Sequence, residues 1–150
     1  MRRVGKTTTP PLDEQLCFDL YAASRAVTSA YRPALKELGL TYPQYLVLIV
    51  LWDKGALTVR ALGEQLRLDH GTLTPLLKRM EEADLVTRRR ADTDERFVEI
   101  HLAPRGDALR EHATQIQCDM KAAMGLTEDE FAQLQATLQL LTSRVADASA

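Results

Sequence analysis

Cys17 and Cys118 are the only thiols in this 150-residue chain. Standing 101 positions apart, they form neither a CxxC redox pair nor a zinc motif. Read alone, a cysteine within an apolar helix is more often a small buried hydrophobe than a reactive group. Reactivity needs thiolate character. Cys17 falls about one turn into a helical pattern, where the positive dipole end favours the thiolate while Asp13 and Glu14 oppose it. Tyr21, four residues on, shares its face and could donate a hydroxyl to the sulfur. Tyr31 is also on that face, but about 21 Å further along the axis at roughly 1.5 Å per residue. A Tyr31–Cys17 contact would have to come from the helix of a second subunit.

A second group of residues points to nucleic acid. A helix beginning near Asp69 offers His70, Thr72, Thr74, Lys78 and Arg79 as polar groups that can donate to phosphates and base edges in a major groove. Such a face alone is an ordinary solvated one. The run Arg88, Arg89, Arg90 before a polar hairpin tip shifts the balance. Arg88 and Arg90 share one strand face, Arg96 sits beyond the tip, and arginines gain from the negative potential of a narrow minor groove.

The elements that must position these groups are mostly helical. Residues 1–11 read as a flexible N-terminal tail, and 12–150 as a single domain. Asp13 is the expected cap of a helix carrying Leu16, Leu20, Ala23, Val27 and Ala30, with Pro33 kinking or dividing it and Gly39 ending it. A second helix is expected from Pro43 through residues 45–52, apolar nearly all round and hence central. Thr58 caps a short helix with Val59, Leu62 and Leu66 on one face. The link 67–69 leads to the helix bearing Leu73, Leu76, Leu77 and Met80. By local rules Pro75 would start that helix late, with Thr74 as its cap.

Strands are expected at 86–90 and 97–102, with Val98, Ile100 and Leu102 alternating inward. One helix over about 104–123 follows, then another opened by a capping box at Thr127 and Glu130. The order is that of a winged helix-turn-helix. The fold class is therefore mainly α with a small β-wing: a winged helix-turn-helix over 43–102, flanked by dimerisation helices at 12–39 and 104–150. The terminal helices carry more apolar stripe than so small a core absorbs, which points to a homodimer.

Composition agrees with this class. Apolar residues make up 45% and charged residues 27%, a globular balance. The net charge of −2 excludes binding of nucleic acid by bulk charge, but the distribution is polarised: residues 107–150 carry −4 and the remainder +2. The longest apolar run, 46–52, is too short for a bilayer, and no apolar segment follows the basic start as a secretory signal would require. A reducing cytoplasmic home and no membrane partner are expected. No P-loop or GxGxxG turn occurs, and His70, His101 and His112 lack metal-ligand spacing, so no cofactor, no metal and no enzymatic activity are expected.

Three segments carry a resemblance. LTYPQYLVLIVLW at 40–52, LDHGTLTPLLKRME at 68–81 and DERFVEIHLAPRGDAL at 94–109 resemble the MarR family of bacterial regulators. LDEQLCFDLYAASRAVTSAY at 12–31 narrows the resemblance to the organic hydroperoxide resistance regulators. It implies a dimer on a palindromic double-stranded DNA operator, with Arg96 contacting DNA, Asp94 holding the wing, and the helix near Asp69 tolerating Pro75. It implies that tyrosines matching Tyr21 and Tyr31, with Tyr42 nearby, hold Cys17. An organic hydroperoxide inducer would oxidise Cys17 to a sulfenic acid and release DNA. Cys118 resembles the resolving cysteine of a two-cysteine subclass, which would condense with the sulfenate of the other subunit. The sequence departs from the family pattern at His70, where a small Ser is common, and at Ala103, where Thr is usual. Two alternatives stay open: a regulator of this type gated by a non-covalent ligand, and a thiol peroxidase using Cys17.

Overall fold

The computed structural model describes residues 9–150, so most of the expected N-terminal tail lies outside the described residues. They form two compact units, one ending at Glu111 and the other His112–Ala150.

In the first unit a single 3-10 turn, Leu12–Glu14, precedes α1, Leu16–Glu37. Asp13 lies in that turn and does not cap the helix. Gln15 holds the cap position without a side-chain cap bond, its amide donating instead to the Pro10 carbonyl. Pro33 does not divide α1. The carbonyl it leaves without an intrahelical donor is that of Ser29, which is exposed and open to water.

The next helix, α2, spans Tyr42–Lys54 and begins one residue before Pro43. Thr41 and Gln44 close a reciprocal capping box, at 3.4 and 3.0 Å, that satisfies two first-turn donors. Tyr45, Val47, Leu48, Leu51 and Trp52 of α2 are buried, which makes it the centre of the unit.

After the two-residue strand β1, Leu57–Thr58, comes α3, Val59–Leu66, with Thr58 accepting from the Ala61 amide. It ends at Arg67, a non-glycine residue in the left-handed region (φ 54°), and the Leu68 amide closes back on the Gly63 carbonyl. Helix α4 then runs His70–Glu82, capped by Asp69, whose Oδ1 accepts from the Thr72 amide at 2.7 Å. The local preference for Thr74 as cap is overturned. Asp69 secures the first turn, and the carbonyl orphaned by Pro75 is that of exposed Gly71.

Strands β2, Val86–Arg90, and β3, Val98–Leu102, pair antiparallel, with Arg88 opposite Ile100 and Arg90 opposite Val98. The pair β1–β3, Leu57 opposite Ile100, extends the sheet to the order β1-β3-β2. Inward alternation holds fully only at Ile100. Phe97 precedes the strand, Val98 is exposed and Leu102 is half-buried. The reason is coverage: β1 reaches only Ile100 and Glu99, so Val98 projects past its end.

Leu62, Leu73, Leu77, Met80, Leu85, Val86 and Ile100 complete a core shared by α2, α3, α4 and the sheet. Helix α5, Pro104–Ala108, is fastened to it by Trp52, whose indole N–H donates to the Gly106 carbonyl, and by Arg105, which donates to the carbonyls of Ala83 and Leu38. Ala103 caps α5 with no side-chain bond. The single helix expected over 104–123 is broken: 3-10 geometry takes over at Leu109–His112 before α6, Ala113–Met124. Such a tightened segment commonly marks the joint between two helices.

The second unit holds α6 and α7, Glu128–Ser149. Gly125 (φ 63°) ends α6 in the left-handed conformation that glycine adopts without strain. The capping box at Thr127 and Glu130 forms as expected, and Lys121 lies over the Phe131 ring at 5.0 Å. No residue of α7 is buried within the single chain.

Candidate DNA interface and thiol site

Three elements converge on one open groove of about 800 Å³: α3 with its C-terminal link, the first turns of α4, and the wing. Its floor is apolar, with Val59, Leu73 and Leu77. Its rim carries Arg60, Arg67, Arg88, Arg96 and His70, with Glu64 as its acidic member. Arg60, Arg67 and Phe97 line this groove although the sequence did not single them out. Arg67 could have been suspected from the short polar link between two helices.

The five polar residues of α4 are not on one stripe. At 100° per residue His70, Thr74 and Lys78 follow one another on one flank. Thr72 and Arg79 fall on the other, with Gly71 and Pro75 on the ridge between. His70, Thr72, Lys78 and Arg79 are exposed and Thr74 is half-buried. His70 Nε2 lies 3.3 Å from Thr74 Oγ1. The Asp69 carboxyl is held below its usual range by the side-chain and backbone hydrogen bonds of Thr72.

On the wing, Arg88 and Arg90 share a face as expected, but their surroundings differ. Arg88 is opposite buried Ile100, on the inner face, and is half-buried. Its Nη2 donates to the Thr74 carbonyl at 3.3 Å, and its Nε stands 3.5 Å from Glu81 Oε2 without the alignment of a hydrogen bond. Arg90 is exposed, donating to the Glu95 carbonyl. At the tip, Arg96 forks onto Asp94, with Nη2 at 2.8 Å and Nε at 3.1 and 3.2 Å from the two carboxylate oxygens. These bonds hold the Asp94 carboxyl below its usual range and push the Arg96 guanidinium higher still. The Asp94 carbonyl also accepts from the Phe97 amide, so one residue ties both ends of the turn.

Cys17 is not among the residues that line this groove. Cys17 is the second residue of α1 and Cys118 lies in α6; both are exposed and free. Phe18 and Tyr21 on α1 are exposed, whereas Leu48 of α2 is buried core. Tyr21 carries Arg25 over its ring at 5.4 Å. Because α1 is unbroken from Leu16 to Glu37, Tyr31 remains about 21 Å along the axis from Cys17 in the same chain. Tyr31 instead packs on Tyr42, ring centroids 4.9 Å apart, and on Tyr45 at 5.9 Å. Burial raises the pKa of all three phenols, reinforced at Tyr31 by Tyr42 and at Tyr45 by both of the others, so each remains an O–H donor. Tyr45 was not singled out by sequence, though it stands one helical turn from Tyr42 on α2. Among the described residues no cluster fit for a metal ion occurs, and no helix is long and apolar enough to cross a membrane.

A family model described as transcriptional regulator SarA/Rot matches residues 29–113. The chain is 48% identical to the organic hydroperoxide resistance transcriptional regulator of Bacillus subtilis over 130 residues, 87% of this chain and 88% of that one. Among solved structures it is similar to reduced AbfR bound to DNA (TM-score 0.76, 32% identity, 93% of this chain and 95% of that one). It is also similar to disulfide-formed AbfR (TM-score 0.61, 37% identity, 87% and 92%); AbfR is a protein of Staphylococcus epidermidis. A MarR variant from E. coli complexed with operator DNA superposes with a TM-score of 0.78 at 25% identity, covering 89% of this chain and 99% of that one. These relatives are transcriptional regulators rather than enzymes. With its winged helix-turn-helix, its forked Asp94–Arg96 wing and these similarities, the chain belongs to the MarR family of DNA-binding transcriptional regulators, among the organic hydroperoxide resistance regulators.

Proposed function

We propose that the protein is a homodimeric, cytoplasmic repressor that binds a palindromic operator and is released from it when an organic hydroperoxide oxidises Cys17. The observation that carries this reading is the exposure of the Cys17 thiol on the first turn of α1, in a chain 48% identical to an organic hydroperoxide resistance regulator. In the oxidation the Cys17 thiolate attacks the outer peroxide oxygen and the O–O bond breaks. The alkoxide leaves and takes up the proton that the thiol had released, becoming the alcohol, and Cys17 becomes a sulfenic acid. Attack by the Cys118 thiol of the other subunit then expels water and forms a disulfide, which cellular thiols can reduce. The solved disulfide form of AbfR supports such a step in a relative.

Dimerisation follows from leftover apolar surface. Leu16, Phe18 and Tyr21 on α1 are exposed, as are Leu134, Leu138 and Val145 on α7. Fully exposed, these faces would make a soluble chain aggregate, and a two-fold interface covers them. Within the dimer, Tyr31 of one subunit would meet Cys17 of the other, with Tyr21 and Tyr42 completing a set of phenolic donors around the sulfur. On the DNA side His70, Thr72, Thr74, Lys78 and Arg79 enter the major groove, while Arg88, Arg90 and Arg96, held by Asp94, serve the wing.

The test is fluorescence anisotropy on the protein's own upstream DNA, reduced and then with one equivalent of cumene hydroperoxide. Binding that is lost on oxidation and regained with a dithiol, and that becomes peroxide-insensitive in Cys17→Ser, is expected. Binding that ignores the oxidant would favour gating by a non-covalent ligand. Catalytic turnover of peroxide without DNA would favour a thiol peroxidase.

A further inference from the structure

His70 and Thr74 differ from the other polar residues of α4 in being tied to each other and, through Thr74, to the sheet. His70 Nε2 lies 3.3 Å from Thr74 Oγ1, one helical turn away on the same flank. The Thr74 carbonyl accepts from Arg88 of β2 at 3.3 Å. The wing strand thus grips the second turn of α4, and Thr74 aims the ring from there. His70 itself is exposed at the first helical position. With Nε2 engaged on the hydroxyl, Nδ1 is the ring nitrogen left for an outside partner.

From this arrangement we infer that His70 is a specificity-determining residue that reads one base edge of the operator through Nδ1, with Thr74 as its positioning residue. The inference rests on the reading of α4 as the helix that enters the major groove. A neutral imidazole has one donor and one acceptor nitrogen, and a threonine hydroxyl suits either arrangement. Nδ1 of a neutral ring therefore accepts from an adenine or cytosine amine as readily as it donates. In the charged ring both nitrogens donate. Nε2–H then points at Thr74 Oγ1 and Nδ1–H must find an acceptor, for which guanine O6 and N7 are the natural match. A donating Nδ1–H thus prefers guanine over the other bases.

The charged groups around the ring are the Asp69 carboxylate beside it and, lining the same groove, Arg60, Glu64, Arg67, Arg88 and Arg96.

The experiment selects bound duplexes from a randomised 30-base-pair library with the full-length reduced protein, followed by sequencing. The wild type is expected to enrich guanine at one position of each half-site about ten-fold, the scale of a single mismatched pair. His70→Ala and Thr74→Val should both lose it at that position and keep the rest of the motif. His70→Asn should turn it toward adenine. The inference is overturned if His70→Ala selects the wild-type motif, or if it only weakens binding uniformly, as a phosphate contact would. A wild type that enriches no motif would overturn the DNA reading itself and this inference with it.

Discussion

Arg96 folds back onto Asp94, two residues earlier, with its guanidinium forked across both carboxylate oxygens at the tip of the wing. Neither partner is buried, so the pair contributes little to global stability. Its effect is to hold a positive group in one place on a hairpin that otherwise projects into solvent. If the wing meets DNA, Arg96→Ala should lower affinity for all sequences alike and reduce the slope of log K against log salt by about one per wing. Asp94→Asn keeps the charge of Arg96 but loosens its aim, so it should cost less affinity and leave the slope nearly unchanged. Anisotropy titrations between about 50 and 200 mM salt check both.

Gly106 is where α5 meets the core most closely. A methyl group placed there would lie 2.1 Å from the Leu85 carbonyl oxygen and 3.3 Å from Leu48. Backbone cannot give way as a side chain can. Gly106→Ala should therefore destabilise the protein by about 3 kcal/mol, lowering Tm by roughly 10 °C in a thermal melt.

Acid should act on the turns before it acts on the core. Asp69, Asp94 and Glu130 all have carboxyls held below their usual range by hydrogen bonds to Thr72, Arg96 and Thr127 respectively. A carboxyl depressed in the folded state adds stability above its unfolded value and loses that contribution as pH falls through the folded one. Tm should accordingly decline below about pH 4, where free carboxylates begin to protonate. The decline should be shallower in Asp69→Asn and Glu130→Gln, which replace the ionised acceptor by a neutral one. A Tm series from pH 7 to 2 measures it.

Cys118 separates two outcomes of oxidation. In the wild type, one equivalent of cumene hydroperoxide should give a covalent dimer on a non-reducing gel, dissolved by a dithiol. Cys118→Ser should form no such dimer, while a sulfenic-acid probe still labels Cys17. Excess peroxide should then carry Cys17 on to a sulfinic acid that a dithiol does not restore. A covalent dimer in Cys118→Ser would assign the resolving role elsewhere.

Much of the winged module was legible because its signals are local. Thr58 and Thr127 cap their helices through bonds to residues three positions on, a reach set by helix geometry. The link at 67–69 and the strand at 86–90 also follow from nearest neighbours. Local rules failed in two places where one neighbouring cap won over another, and in a third where a distant element decides. Asp13 loses its cap role to Gln15, and α4 runs through Pro75 because Asp69 secures its start. Strand β1 was invisible, since two residues carry no periodicity of their own and exist as a strand only by pairing with Glu99 and Ile100.

The candidate site divides the same way. Residue types and spacing alone determined which side chains could do chemistry: an N-terminal thiol with a tyrosine one turn away, a polar helix face, and arginines flanking a turn. Only the tertiary structure decided their partners. It placed Arg88 beneath α4 against Thr74 and Glu81, and brought Arg60 and Arg67 from α3 into the groove. It also joined Tyr31 to Tyr42 and Tyr45. The physical reason is that hydrogen-bond caps and helical periodicity act within a few residues. The burial that turns an arginine inward, or keeps a phenol protonated, is set by elements that meet only after the chain has folded.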